Sequence, residues 1–519
     1  MTGRSSEGQA PDLTGRTMSS LRWSYLSSGV NAVLLLAVTA ILARLLYPAA
    51  FGVVAMAAVI LSFGQYFAQM GVGRALVQRP DITREDVRVA FTSSVLLGTG
   101  FSALFWIGAP LAMYLFHDPE VVPILRVSGL TFLITGFTTT AMALLQRDLR
   151  FRAVAIVEIA SYTIVYAPLG VALAYAGFGA WSLVLAGLGQ LTLTALLAYA
   201  FSRHSVRPSL SGATLRALYS FGARVSGISF VEFLGSNVGP MWIGNRLGAG
   251  ALGVYNRAFN LVNLPTYYFT TSLSRVMYSS MSRVQDDTAK LRGTYLSLTT
   301  VFAALLMPAC WGAAGASRQI IPVLLGPRWT EAIPVFTILA LAAPFSFMAH
   351  LSGVISEVTA SLNPKLILSL GRLAILILLL VLLTPLGLIG YAVAFAVTEI
   401  LVYASYFVLM RTVLATSMGR LLAGQGAGYT IGLLMMALTA AIGWLGTVGD
   451  LPVWLTLVIQ VVAGVCGLTW FTLRGFSGAI WAAMRAGLRW TDRVRPDTRS
   501  GRIMAWLDSH AAGSRGPRT

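Results

Sequence analysis

Between Arg246 and Tyr267 the chain sets amide, phenol and guanidinium groups into an otherwise apolar run. Asn256, Asn260, Asn263 and Tyr267 recur at intervals of four, three and four. At 3.6 residues per turn they share one helix face, with Arg257 beside the first of them. Amides and phenols both donate and accept hydrogen bonds, and a guanidinium offers a fork of donors, so this face can hold a polar solute. Asparagine is equally a means of bridging two helices, and both readings stand. Arg257 follows a tight Gly-rich turn, and contact with a ligand and extension of its stem to an interface are evenly matched.

Other polar groups recur at helical spacing in apolar surroundings. Asn31 follows Ser24 and Ser28, Gln65 and Gln69 follow Ser62, and Glu232 lies between Ser229 and Ser236 with Asn237 adjacent. Glu158 precedes Tyr162, and Glu399 precedes Tyr403 and Tyr406. An ionised side chain at mid-bilayer costs about 2.5 to 3.5 kcal/mol even on insertion scales, so the economical arrangement turns these faces toward a shared water-filled cavity. Glu232 and Glu399 lie deepest and are the candidates for binding and releasing an ion. Glu158 is read as an ion-pair partner of Arg150 or Arg152, and Glu357, before the Asn363-Pro364-Lys365 turn, as structural. Arg44, Arg126 and Arg246 sit near the ends of apolar runs, where snorkelling suffices.

Catalytic chemistry has no comparable signal. There is no Gly-rich phosphate loop and no nucleophile elbow, and the two cysteines and four histidines (His117, His204, His350 and His510) are scattered rather than set at metal-ligand spacing. The longest polar connection, 202–224, is too short to fold alone. The chain is therefore read as a non-enzyme without cofactor or metal.

The elements that position these groups are helices. With 56% hydrophobic and 11% charged residues, and a mean hydropathy of +0.74, this is an all-α polytopic membrane protein; a soluble chain carries about 25% charged residues. Some fourteen stretches reach the length needed to cross a bilayer: 23–46, 51–70, 89–116, 122–145, 153–175, 179–201, 225–245, 252–278, 295–316, 332–358, 366–384, 388–410, 427–447 and 453–473. Met1–Ser20 is read as a polar tail. Phe476–Trp490 is basic and amphipathic and is expected to lie on a membrane surface, and the remainder of the C-terminal tail is read as disordered.

Arginine placement sets an orientation. Connections following even-numbered spans, with the two tails, hold 31 of the 37 Lys and Arg residues, Lys365 and Arg372 counted among them. Positive loops stay cytoplasmic, so both termini are expected inside. Most of the +18 net charge then faces anionic lipid, and a nucleic-acid partner is not needed to explain it.

The chain also repeats itself. Arg44-Leu-Leu-Tyr-Pro-Ala-Ala-Phe-Gly-Val53 matches Arg246-Leu-Gly-Ala-Gly-Ala-Leu-Gly-Val254 with one residue fewer, and Gly177-Phe-Gly-Ala-Trp181 matches the stretch opening at Gly387. Two pseudo-repeated six-helix lobes follow, 23–201 and 225–410, joined by the linker 202–224. A cytoplasmic tail 1–22 precedes them. Two helices outside the repeat, in 411–473 and read as peripheral, and a basic tail 474–519 follow.

The segment Arg246–Pro265, together with Met281-Ser-Arg-Val-Gln-Asp-Asp287, Ala143-Leu-Leu-Gln-Arg-Asp-Leu-Arg-Phe-Arg152 and Leu325-Gly-Pro-Arg-Trp-Thr-Glu-Ala-Ile-Pro334, resembles the oligosaccharide-lipid flippases of the Wzx and WzxC type within the MOP superfamily. Ser279 stands where relatives commonly carry proline, and Met70 where an acidic residue is common. The resemblance implies two lobes facing a central cavity and alternating access across the bacterial inner membrane. It implies as substrate an undecaprenyl-pyrophosphate-linked oligosaccharide for exopolysaccharide, capsule or O-antigen (lipopolysaccharide) assembly, with proton or sodium coupling and with polysaccharide polymerase machinery and membrane lipids as partners. On this reading Arg257 pairs with pyrophosphate, while Asn256, Asn260, Asn263, Tyr267, Asn31, Gln65 and Gln69 bind sugar hydroxyls. A lipid II flippase and a multidrug (MATE-like) cation exporter are the alternatives on the same scaffold. A glycan polymerase or ligase is the remote one, since the chain has no sizeable external loop for catalytic groups.

Overall fold

The computed structural model describes residues 13–68, 72–79, 81–212, 214–215, 226–281, 287–359 and 362–471. Side chains are described throughout these ranges except at 13–28, 66–68, 74, 226–229, 264–281 and 362. Helix is the only extended regular structure among the described residues, and ten helical segments are long and apolar enough to cross a hydrocarbon core. The chain is a multi-pass membrane protein. Its helices fall into two compact units, Met1–Phe230 with Ile243–Gly253, and Val231–Trp242 with Val254–Thr519.

The first unit contains α1 (Leu13–Leu45), α2 (Pro48–Ala68), α3 (Val72–Gln78), α4 (Arg84–Gly108), α5 (Ala112–Phe116), α6 (Val121–Ser128), α7 (Leu130–Arg147), α8 (Phe151–Ser161), α9 (Ala167–Tyr175) and α10 (Ala180–Ser202). Helix α1 begins at Leu13, inside the stretch read from sequence as a tail. A capping box starts α4: the Asp86 backbone N–H donates to Thr83 Oγ1 at 3.1 Å, and the Asp86 carboxylate accepts from the Thr83 N–H at 2.8 Å. α4 and α7 then approach closely through small residues. A Cβ on Gly98 would lie 2.4 Å from the Phe132 carbonyl oxygen, and one on Gly136 would lie 2.6 Å from that of Ser94.

The start of the linker is tied to this unit. Arg88 Nε donates to Ser205 Oγ at 3.0 Å, the Ser209 N–H to Thr92 Oγ1 at 3.1 Å, and Arg150 Nη1 to the Phe201 carbonyl at 2.8 Å. His204 is buried between the edges of Phe91 and Tyr199, with Nδ1 3.1 Å from Ser202 Oγ. Burial holds its imidazole below the usual histidine range.

Helix α11 (Ser226–Met281) contributes stretches to both units and changes direction at Gly248, whose φ of 80° suits glycine. The segment 243–253, the second copy of the repeated motif, packs in the first unit against the first copy. Gly52 lies against Ala249, and Gly253 against Pro48. Gly179 (φ 54°, ψ −128°) and Gly387 (φ 59°, ψ −142°) share one backbone geometry at the start of their helices. The geometric counterpart of Gly387 is thus Gly179, two residues beyond the match read from sequence.

The second unit contains α12 (Thr288–Gly315), α13 (Ser317–Leu324), α14 (Ala332–Val358), α15 (Leu362–Leu383), α16 (Gly387–Val413), α17 (Met418–Val448) and α18 (Val453–Trp470). Its core gathers Tyr295, Phe302, Met307, Phe347, Ile355, Phe407 and Met410. Helix α17, read from sequence as outside the repeat, packs closely along α12. Gly424, Gly428 and Gly432 form its contact face, and Cβ atoms there would meet Thr300, Ala303 and Trp311 within 2.4 to 2.8 Å. Buried polar bonds fix the packing: Tyr295 Oη to Ser352 Oγ at 2.8 Å, and Gln460 Nε2 on α18 to Gln319 Oε1 at 3.2 Å and to the Thr439 carbonyl at 2.7 Å. In an apolar surrounding such groups need partners within the protein.

Candidate functional site

Within the second unit α11, α14, α15 and α16 enclose a cavity of about 310 Å³. Four helix faces supply its polar lining. Glu232 and Ser236 stand one turn apart on α11. Ser346, His350, Gly353 and Glu357 follow one face of α14, Lys365, Ser369 and Arg372 one face of α15, and Glu399 and Tyr406 one face of α16.

The charges are paired in two groups. Lys365 Nζ lies 2.9 Å from Glu232 Oε1 and 2.6 Å from Glu357 Oε1, bridging α11 and α14. The lysine is 10% exposed, whereas the two carboxylates are 44% and 41% exposed and face the cavity. Deeper, Arg372 donates from Nε at 3.1 Å and from Nη2 at 2.6 Å to one oxygen of Glu399, which is 3% exposed. Ionic hydrogen bonds of this kind offset the cost of removing both charges from water, which neither ion alone could meet. His350 is exposed to the cavity and lies within electrostatic reach of Glu232, Glu357 and Lys365.

The structure therefore brings Glu232 and Glu399 into one cavity and gives each a cationic partner. Lys365 and Arg372, counted from sequence among the residues of a cytoplasmic connection, are those partners. Glu357, read as structural, and His350, read as a scattered histidine, line the same space. The spacing of Lys365 and Arg372, seven residues apart in an otherwise apolar helix, is the signal that marks this face.

The asparagine face lies outside this cavity. Asn260 Nδ2 donates to Asn256 Oδ1 at 2.7 Å, and Asn263 Nδ2 to the Phe259 carbonyl at 3.0 Å, so these described bonds run along α11 itself. Asn260 is exposed, while Asn256, Asn263 and Arg257 are half-buried. On the same helix Tyr255 is buried within electrostatic reach of Glu399, and Phe259 packs edge-on against Phe395 of α16. Asn31 is half-buried on α1 of the first unit. Gln65 lines a cavity of about 20 Å³ there, beside Thr135 and Thr139, room for about one water. Gln69 and the side chain of Tyr267 lie outside the described residues, as do the side chains of Ser24, Ser28 and Ser229 and all of 476–490. Among the described residues no cluster of three metal-ligating side chains occurs.

Residues 41–334 match the family model described as polysaccharide biosynthesis protein. The chain is 25% identical over 447 residues to the lipopolysaccharide biosynthesis protein WzxC of Escherichia coli (strain K12), covering 83% of this chain and 88% of that protein. It is 29% identical over 355 residues to the succinoglycan biosynthesis transport protein ExoT of Rhizobium meliloti (strain 1021), covering 66% and 71%. Among solved structures it superposes on the lipid II flippase MurJ in an inward closed conformation with a TM-score of 0.67 at 13% identity, covering 88% of this chain and 99% of that one. An inward-facing multidrug resistance MATE family transporter of the MOP superfamily gives 0.55 at 16%, covering 76% and 94%. At these identities the two structures speak for a shared fold.

Proposed function

The chain belongs to the polysaccharide biosynthesis protein family, and from this we propose that it flips lipid-linked oligosaccharide units across the bacterial inner membrane. The load is an undecaprenyl-pyrophosphate-linked repeat unit made at the cytoplasmic face and delivered outward for exopolysaccharide, capsule or O-antigen synthesis. Both termini stay in the cytoplasm, and polysaccharide polymerase machinery takes up the delivered unit. The protein is a transporter and not an enzyme: it exposes its load to one side and then the other by alternating access.

The observation that carries this reading is a charged, hydroxyl-bearing cavity inside an apolar helical unit, in a chain whose relatives are named for polysaccharide biosynthesis and its transport. A membrane protein retains paired charges at such a place for work on polar solutes or ions. Arg257 is the group for a pyrophosphate, since a guanidinium fork matches phosphate oxygens. The amides of Asn256, Asn260, Asn263, Asn31, Gln65 and Gln69 and the phenol of Tyr267 suit sugar hydroxyls. Ion coupling is assigned to the cavity that holds Glu232 and Glu399.

Deletion of the gene tests the proposal. The lipid-linked repeat unit should accumulate on the cytoplasmic leaflet while surface polysaccharide disappears, and a plasmid copy should restore both. Normal surface polysaccharide in the deletion strain would overturn it.

A further inference from the structure

Besides the phenol of Tyr406, which is neutral throughout, six ionisable groups line the cavity of the second unit: the acids Glu232, Glu357 and Glu399, and the bases Lys365, Arg372 and His350. With His350 neutral they sum to one negative charge, and with His350 protonated they sum to zero. The two states differ by one proton on an imidazole, the side chain whose ordinary titration range lies nearest neutral pH.

The geometry limits which cation the cavity can exchange. A metal ion in a protein draws oxygen ligands from several directions, and the space between the Glu232 and Glu357 carboxylates is where this cavity would supply them. Lys365 Nζ fills that space, within 2.9 Å of one carboxylate and 2.6 Å of the other. The third carboxylate also has a resident cation, because Arg372 reaches Glu399 with two N–H groups, and Glu399 is 3% exposed. His350 is exposed to the same cavity. It shares the cavity lining with Glu357 on its own helix, Glu232 on α11, Lys365 and Arg372 on α15, and Glu399 and Tyr406 on α16, and Glu357, Glu232 and Lys365 lie within its electrostatic reach.

We propose that Lys365 is a resident cation that keeps metal ions out of this cavity, and that the one charge the cavity exchanges is a proton on His350. A hydronium in the cavity gives its proton to an imidazole ring nitrogen and leaves as water; the reverse step releases it. No other bond forms or breaks. Lys365 and Arg372 hold the carboxylates in place through both states and act as positioning residues.

The test uses the purified full chain in detergent micelles and needs no polysaccharide, so its failure is separate from a failure of the transport reading on which the role of the proton rests. Thermal unfolding is compared in sodium chloride and in choline chloride at equal ionic strength, and then across pH 5 to 8. The wild type is expected to unfold at the same temperature in both salts. Lys365→Met exposes two carboxylates without their ammonium and is expected to gain a sodium-specific rise of several degrees, while Lys365→Arg stays indifferent. A sodium-specific rise in the wild type that Glu232→Gln abolishes would overturn the exclusion of metal, as would a folded Lys365→Met with no response to sodium. Should Lys365→Met not fold, the wild type and Lys365→Arg still decide that arm. For the proton, His350→Gln is expected to change the shape of the pH profile between 5 and 8, and a profile parallel to that of the wild type would overturn the assignment.

Discussion

Gly52 and Gly253 lie backbone against backbone: a Cβ on Gly253 would stand 1.9 Å from the Pro48 carbonyl oxygen and 3.1 Å from the Gly52 nitrogen, and one on Gly52 would stand 1.7 Å from the Ala249 oxygen. They are the matched glycines of the motif that the chain carries twice. The sequence repeat is thus a physical contact between its own two copies. Neither carbonyl belongs to a flexible side chain that could swing aside, so a methyl group must push helix backbone apart. Gly253→Ala is expected to cost about 1–3 kcal/mol or more. Gly250→Ala, whose Cβ meets nothing within 4 Å, should be tolerated. The comparison is read as the unfolding temperature and yield of membrane-inserted protein for the two variants.

Arg372 and Glu399 give a second prediction. Arg372→Met leaves a carboxylate only 3% exposed without its partner, and breaking a buried pair from one side costs about 3–5 kcal/mol. Glu399→Gln should cost less, because a neutral amide still accepts from the guanidinium, which is 27% exposed. The double variant Arg372→Met with Glu399→Gln removes both charges and is expected to recover much of the loss. Additive losses in a double-mutant cycle of unfolding temperatures would show that the pair does not act as a unit.

His204 makes stability depend on pH from outside the membrane-spanning segments. The ring is buried, and Nε2 has no hydrogen-bond partner among the described residues, so burial favours the neutral form and lowers the pKa below the ordinary value of 6.5. The unfolded chain therefore takes up a proton at higher pH than the folded one. This contribution is fully present above the unfolded value and is lost as pH falls through the folded value. Acidification from pH 8 to pH 5 should lower the unfolding temperature, and His204→Leu should reduce that dependence. An undiminished pH dependence in His204→Leu would show that another group carries it.

The fold and the site were legible to different depths. Long apolar runs and Gly or Pro turns mark the helices because bilayer thickness and backbone satisfaction act locally in the chain. The repeat at Arg44 and Arg246 likewise reports a contact that the structure realises. The place of α17 was written in Gly424, Gly428 and Gly432, a spacing of four that lets helices approach, yet hydropathy alone treats these residues as neutral. The cavity was half legible. Glu232 and Glu399 stand out because an acid in an apolar run requires a reason. Lys365 and Arg372 were hidden by the rule that reads orientation, which counts every cation near a helix end as a loop charge. Glu399 meets Arg372 across 27 residues and Glu232 meets Lys365 across the whole of α12 to α14, and pairing at that range has no local signature.

The asparagine face gives the last prediction. Asn260 is exposed and its described bond is to Asn256 on the same helix, so Asn260→Ala should change stability by no more than about 0.5 kcal/mol. If the face serves only to hold α11 together, transport should be equally insensitive. On the proposed function the exposed amide and Arg257 meet the passing sugar and pyrophosphate. Removing a hydrogen bond to a charged group costs about 1.5–3 kcal/mol, equivalent to roughly a tenfold to hundredfold loss of affinity. Arg257→Ala is therefore expected to lower surface polysaccharide in a complemented deletion strain while membrane-inserted protein stays at the wild-type level, and Asn260→Ala should lower it by less. Since Arg257→Lys keeps the charge but not the planar fork, it separates pyrophosphate recognition from simple attraction: partial rescue is expected. A fully active Arg257→Ala would return this arginine to the role of a stem reaching for the interface.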